Sequence, residues 1–308
     1  MSIDFHRRML ADRVRHDAFR EALSRLIIRE ETTVADIGAG TGVLAFFARQ
    51  LGATEVWLYE PGMVIELAEA LAHENGIDRL HFVPQLSLDV EQPTKVDLVV
   101  AEVFGNFAYE EGVLDTLRDA KRFLKSGGAM VPHGIVQYAA PVVASRFDDE
   151  LSSWRQVGHG LDFTIAEVVA RNNMYVYAIE PGDLMPDSAR EWDRVAFLEE
   201  FASLREGTIE WRIDKPSTIY GFALWWTATL TPGVELTTSP HAPRTHWDQI
   251  YLPLETPIDV RVGHEVTLTI ATETVPGLTG IAVAWTVTHR GGGAVDTQAL
   301  DIGKGFLD

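Results

Sequence analysis

The chain has 308 residues, 46% hydrophobic and 23% charged, with a formal net charge of −19 and no cysteine. Disulfides and thiolate metal sites are therefore excluded, and the ten histidines show no HxxxH or HxH spacing, so no metal site is expected. The acidic balance suits cationic ligands and argues against nucleic acid; the lack of any apolar run near the roughly 18–20 residues of a membrane span, and of an apolar stretch in Met1–Arg8, points to a cytoplasmic protein with no membrane partner.

Residues 6–28 carry Met9, Leu10, Val14, Phe19, Leu23, Leu26 and Ile27 at helical spacing. A short buried run, Val34–Ile37, leads into a Gly-rich turn and a helix over 42–51. Strand 55–59, helix 62–75, strand 81–83, strand 96–100 and a helix over 110–124 follow. Short apolar strands alternating with helices predict a parallel sheet covered on both faces. The pattern changes near Pro132. Ile135–Val142, Thr218–Leu230, Gln249–Leu254, Glu265–Ala271 and Ile281–Thr288 are β-branched and aromatic-rich, so the second part reads as strand, with two helical pieces expected in 160–205. The predicted division is 1–132 and 133–308.

Asp36-Ile37-Gly38-Ala39-Gly40-Thr41-Gly42 ends the first strand and opens a helix. Glycines here let the backbone turn sharply and approach a ligand, and the helix presents free N–H groups. Dinucleotide enzymes use GxGxxG. Here the spacing is GxGxG and position 43 is valine, which favours S-adenosylmethionine (SAM) over NAD. Glu60 ends the second strand, where a carboxylate can take both hydroxyls of a ribose. Chemistry in such sheets sits outside the carboxyl ends of the strands, and the loop after the fourth strand, Glu102–Gly112, has carboxylates near both its ends. On spacing alone it is equally a charged surface loop.

These segments together resemble the protein arginine methyltransferase family. Glu102 and Glu111 match its pair of essential glutamates at the same nine-residue spacing. Thr245-His246-Trp247 matches its THW loop, His6–Arg15 its first-helix motif, Val34–Gly42 its SAM loop and Gly127–Pro132 its link between domains. The resemblance implies a Rossmann-like SAM-binding domain, then a β-barrel domain carrying an inserted helical dimerisation arm at about 160–180, and hence a homodimer. It implies that Arg15 pairs with the SAM carboxylate, that His6 and Met9 lie beside the cofactor and that Glu60 holds the ribose. Asp36, Gly38, Gly40 and Gly42 form the SAM loop, and the adenine-contacting position falls at Leu88 or Asp89. Asp12 and His246 are a linking pair with a possible part in proton relay, and Trp247 walls the substrate pocket.

Two carboxylates around a guanidinium can accept its N–H groups in a fork and draw its charge away from the reacting nitrogen. Two enzyme readings follow. One is methylation of free L-arginine or a small guanidine in bacterial natural-product biosynthesis. It is favoured by Met1–Phe5 standing where the family carries a Tyr-Phe-x-x-Tyr helix, and by Val103-Phe104-Gly105-Asn106 replacing the family's Trp-Met-Gly-Tyr. The alternative is methylation of Arg/Gly-rich protein segments. A third reading, a SAM-binding scaffold without activity, conflicts with the intact glutamate pair.

Overall fold

A computed structural model describes residues 3–274 and 281–304. The first helical stretch is two helices, α1 (Ile3–Leu10) and α2 (Arg13–Leu26). The break falls at Asp12, whose extended backbone and side chain cap α2 by accepting the Arg15 N–H at 2.9 Å. Then come β1 (Val34–Ile37), α3 (Val43–Leu51), β2 (Val56–Tyr59), α4 (Val64–Glu74), β3 (Leu80–Val83), β4 (Val96–Ala101), α5 (Val113–Ala120) and β5 (Leu124–Val131). The five strands are parallel, in the order β3-β2-β1-β4-β5. All four residues of β1 are buried, as helices on both faces require. The order reverses between β1 and β4, which places the ligand crevice of such a sheet at the carboxyl ends of those two strands.

After Pro132 the pairing becomes antiparallel. The elements are β6 (Gly134–Val142), α6 (Arg146–Leu151), α7 (Thr164–Arg171), β7 (Tyr175–Tyr177), β8 (Arg190–Ala196), β9 (Leu204–Arg212), β10 (Ser217–Thr231), β11 (Val234–Thr237), β12 (Gln249–Val260), β13 (Glu265–Thr274), β14 (Ile281–Gly291) and β15 (Ala294–Asp301). They form two sheets, β7-β12-β10-β6-β8 with β11 on β10, and β15-β14-β13-β9, which together make a barrel-like unit. One apolar core runs from Phe19 and Leu23 of α2 through β1 and β4 to Trp226, Leu268 and Trp285 of the barrel.

Two expectations are corrected. The stretch 160–205 holds one α-helix of that length, α7; the rest includes β7, β8 and the start of β9. Its Glu, Arg and Leu content favours helix locally, but burial of Trp192 and Val195 and ladder pairing of β8 with β6 override that preference. Helix α5 is also shorter than the predicted 110–124, and Leu124–Val131, leading into the second part, is a strand that the element pattern did not predict. Its Gly127-Gly128 pair hides it; a Cβ on Gly128 would sit 3.0 Å from the Asp97 carbonyl oxygen, so the sheet needs glycine there.

Candidate active site

The turn after β1 uses left-handed backbone at Gly38, Gly40 and Gly42 (φ 71°, 54° and 82°), a region glycine enters at no steric cost. At Gly38 a Cβ would also lie 2.7 Å from Val103 Cγ1, so this glycine lets the loop after β4 close over the loop after β1. Glu60, just past β2, accepts the N–H of Gly62 at 2.7 Å and of Gly40 at 3.1 Å. Asp36 is buried and accepts the Ala45 N–H at 3.0 Å in the first turn of α3. Burial raises its carboxyl to about 7, against the opposing pull of that hydrogen bond.

These groups line a cavity of about 630 Å³ together with His6, Met9, Leu86, Ser87, Arg15, Glu102, Glu111 and Thr116. Burial lowers the His6 imidazole, with Glu60's charge opposing. Arg15 is 4% exposed. Its Nε donates to Glu102 Oε2 at 2.7 Å, and its Nη2 bonds the same oxygen. Its Nη1 is buried with no hydrogen-bond partner among the described residues. A buried guanidinium with one idle donor fork is a site for a second anion.

Glu102 begins the loop and its Oε1 accepts the Phe104 N–H at 3.3 Å. Glu111 adopts φ 58°, ψ 23°, a left-handed backbone costly for a residue with a Cβ and common at functional sites. Its neighbour Glu110 turns inward instead, accepting the Phe107 N–H at 3.3 Å, and burial raises its carboxyl. Indole groups of the barrel hold the first half of this loop. Trp247 Nε1 donates to the Phe104 carbonyl at 2.9 Å and Trp226 Nε1 to the Gly105 carbonyl at 3.2 Å; Asn106 Oδ1 accepts the Asp248 N–H at 2.9 Å.

Six of the expected site residues are not on the cavity wall. Gly42 caps α3 behind it, close to Phe46. Leu88 and Asp89 lie in a 3-10 turn, Ser87–Asp89, whose first residue Ser87 and the preceding Leu86 line the cavity. Trp247 is buried, with its N–H donated to the Phe104 carbonyl of the glutamate loop. Asp12 accepts the backbone N–H of His246 at 2.8 Å and lies 2.9 Å from its Nδ1, tying the first helices to the THW loop. Burial pushes the Asp12 carboxyl up, but hydrogen bonds from the His246 ring and the Arg15 and His246 N–H groups outweigh it and hold the carboxyl below its ordinary value. Sequence reasoning missed Ser87 and Thr116. Ser87 Oγ is buried in the wall with no hydrogen-bond partner among the described residues, and the turn that aims it inward has no signature in the sequence.

The cavity thus combines the left-handed glycine turn, the Glu60 carboxylate, the partly idle Arg15 guanidinium and the two glutamates Glu102 and Glu111. Residues 136–277 match the family model described as the arginine methyltransferase oligomerization subdomain, and residues 20–159 that of the ribosomal protein L11 methyltransferase (PrmA). The chain is 32% identical over 283 residues to protein arginine N-methyltransferase 6 of Xenopus laevis, covering 86% of this chain and 82% of that protein. It is 30% identical over 277 residues to the histone-arginine methyltransferase CARMER of Drosophila persimilis, covering 84% of this chain but 52% of that protein, so it spans about half the length of such relatives. Among solved structures, the Trypanosoma brucei PRMT1 enzyme-prozyme heterotetrameric complex with AdoHcy has a similar fold, with a TM-score of 0.86, 22% identity and 96% of each chain covered.

Proposed function

Because the chain belongs to the protein arginine N-methyltransferase family, we propose that this SAM-dependent arginine methyltransferase acts on arginine within proteins or peptides. The observation that carries the peptidyl reading is the charge of the cavity wall. Among the described residues lining it, Arg15 is the only lysine or arginine; Glu102 holds one side of its guanidinium, and the cofactor carboxylate would take the Nη1 side. A free amino acid would bring an α-carboxylate into a site rich in carboxylates, without a second lysine or arginine to receive it. A peptidyl arginine brings the guanidinium alone. The named relatives, a protein arginine and a histone-arginine methyltransferase, support the same reading over free arginine and natural-product biosynthesis. An Arg/Gly-rich peptide and free L-arginine, offered in parallel with SAM, test it: methylated peptide and unmodified arginine are expected, and the reverse would overturn it.

The residues fit the cofactor. Arg15 Nη1 can receive a carboxylate and Glu60 a ribose diol; for the adenine end, lining by Leu86 and by Ser87 with its unpartnered Oγ supports these two beside the expected Leu88 or Asp89. His6, Met9, Gly38 and Gly40 supply the remaining walls. SAM contributes an electrophilic methyl group on a sulfonium. The protein's part concerns the acceptor. Guanidinium has a pKa above about 12, arrives protonated and is a poor nucleophile. Glu102 and Glu111 accept its N–H groups and localise its charge on the nitrogens that do not react, so the remaining nitrogen regains lone-pair character. Holding the reactants in contact could supply roughly 7–11 kcal/mol of the barrier. Glu111, on the wall, can take the departing proton; His246 with Asp12, lying off the wall, serves to fix the loop.

Asp36 gives a pH signature. Its folded pKa is raised, so its contribution to the stability of the ligand-free chain is present below the ordinary carboxylate range and is lost as pH rises through about 7. Binding of the cationic cofactor has the opposite sign, because it favours ionised Asp36. Affinity for SAM is expected to rise as pH passes through that value, and Asp36→Asn to flatten the rise, in calorimetric titrations. A rise that persists unchanged in the Asn variant would remove Asp36 from the account.

The assembly reading is a homodimer. Leu161, Ile165 and Val168 are 61%, 60% and 54% exposed around α7, an apolar row that monomers seldom leave open. Arg171 braces that helix from beneath, donating to Asp148 at 2.7 Å and Glu167 at 2.9 Å. Ile165→Asp is expected to convert the dimer to monomer in sedimentation equilibrium; an unmodified chain that already sediments as a monomer would contradict this.

A further inference from the structure

The first half of the glutamate loop is tied to the barrel through Phe104, Gly105 and Asn106, whereas Glu111 lies in the second half. That half has its own tether. Tyr109, two residues before Glu111, is fully buried, and its hydroxyl donates to Asp193 Oδ2 at 2.5 Å. Burial and Asp193's charge push this hydroxyl well above its ordinary pKa, so it remains a donor. Asp193 stands on β8 and is gripped from β9 by Arg205, whose Nε donates to Oδ2 at 2.9 Å and whose Nη2 bonds Oδ1. The platform is stiff. The Phe107 ring lies near-parallel to Trp192 with centroids 6.3 Å apart, and a Cβ on Gly207 of β9 would fall 1.9 Å from the Trp192 carbonyl oxygen.

We infer that Tyr109, through Asp193 and Arg205, is a positioning residue that sets Glu111 against the substrate guanidinium. This rests on the methyltransfer reading above. A left-handed backbone at Glu111 persists only where the surroundings over-determine it, and Tyr109 is the residue just before it whose side chain reaches the barrel, while Glu110 bonds within the loop and Val113 is buried on the far side. The tether also makes the barrel part of the active site: a shift of β8 is transmitted to Glu111 without touching the cofactor's residues.

Tyr109→Phe keeps the ring and removes the tether. The expected result is a fall of about 10- to 100-fold in kcat for peptide methylation, normalised to the sites that bind S-adenosylhomocysteine, with the KM for SAM unchanged. Amides 107–112 should exchange hydrogen faster, while those of β4 (Val96–Ala101) stay protected. Asp193→Asn should lower kcat in the same way, and the double variant should lose no more than the worse single one. Wild-type kcat per site with unchanged exchange in Tyr109→Phe would overturn the inference; a purely structural role would lower the number of binding sites and leave kcat per site alone. If the unmodified enzyme transfers no methyl to arginine, the functional reading fails separately. Hydrogen exchange still decides the tether then: faster exchange at 107–112 supports it and unchanged exchange overturns it.

Discussion

Replacing Glu111 by Gln is expected to lower kcat for arginine methylation by about 100-fold or more, with affinity for S-adenosylhomocysteine nearly unchanged. The substitution keeps the size of the side chain and one acceptor oxygen, but exchanges a carboxylate for an amide. Two charge-assisted hydrogen bonds to the guanidinium are lost or weakened, each worth about 1.5–3 kcal/mol, and each tenfold in rate corresponds to about 1.36 kcal/mol. Glu111 lines the cavity but makes no hydrogen bond to the Gly38–Gly40 turn among those described, whereas Glu60 does, so the loss should fall on turnover rather than on cofactor binding. A Gln variant that keeps wild-type kcat would sink the two-carboxylate mechanism.

The second large effect belongs to Arg15. Arg15→Ala removes the partner of a glutamate that is itself 7% exposed, and stranding one member of a buried pair costs about 3–5 kcal/mol. It also removes the idle Nη1 donor assigned to the cofactor carboxylate. The variant should melt well below the wild type and bind S-adenosylhomocysteine about 100-fold more weakly. Arg15→Lys separates the two roles. An ammonium can keep Glu102 company but lacks the planar fork that serves two anions at once, so stability should largely return while cofactor affinity stays low. Full recovery of affinity in the Lys variant would show that the second anion is not held by this residue.

Much of this site could be read from the sequence because its key groups sit where the chain changes element. Gly38, Gly40 and Gly42 follow a strand, Glu60 ends the next, and Glu102 follows the fourth strand of the parallel sheet; each is fixed by local grammar. The link between Asp12 and His246, 234 residues apart, came from family resemblance, since no local rule joins positions so distant. What stayed hidden depends on tertiary pairing. Strand β8 carries Glu191, Asp193 and Arg194 and looks helical until β6 pairs with it. That Trp247 also pins the glutamate loop shows only when its N–H meets the Phe104 carbonyl. Ser87 and Leu88 are indistinguishable in sequence as cavity residues, and the turn of the backbone alone decides between them. Tyr109 belongs to the same class, for its meaning lies in Asp193 and Arg205 across the barrel.

The most direct test of the central claim is fragmentation mass spectrometry of two peptides incubated with SAM, identical except that arginine in one is lysine in the other. Methyl groups on the guanidino nitrogens of the arginine peptide, and none on the lysine peptide, are the result predicted by a carboxylate pair built for a planar cation. Methylation of lysine, or of neither peptide by a chain that binds S-adenosylhomocysteine, would contradict it.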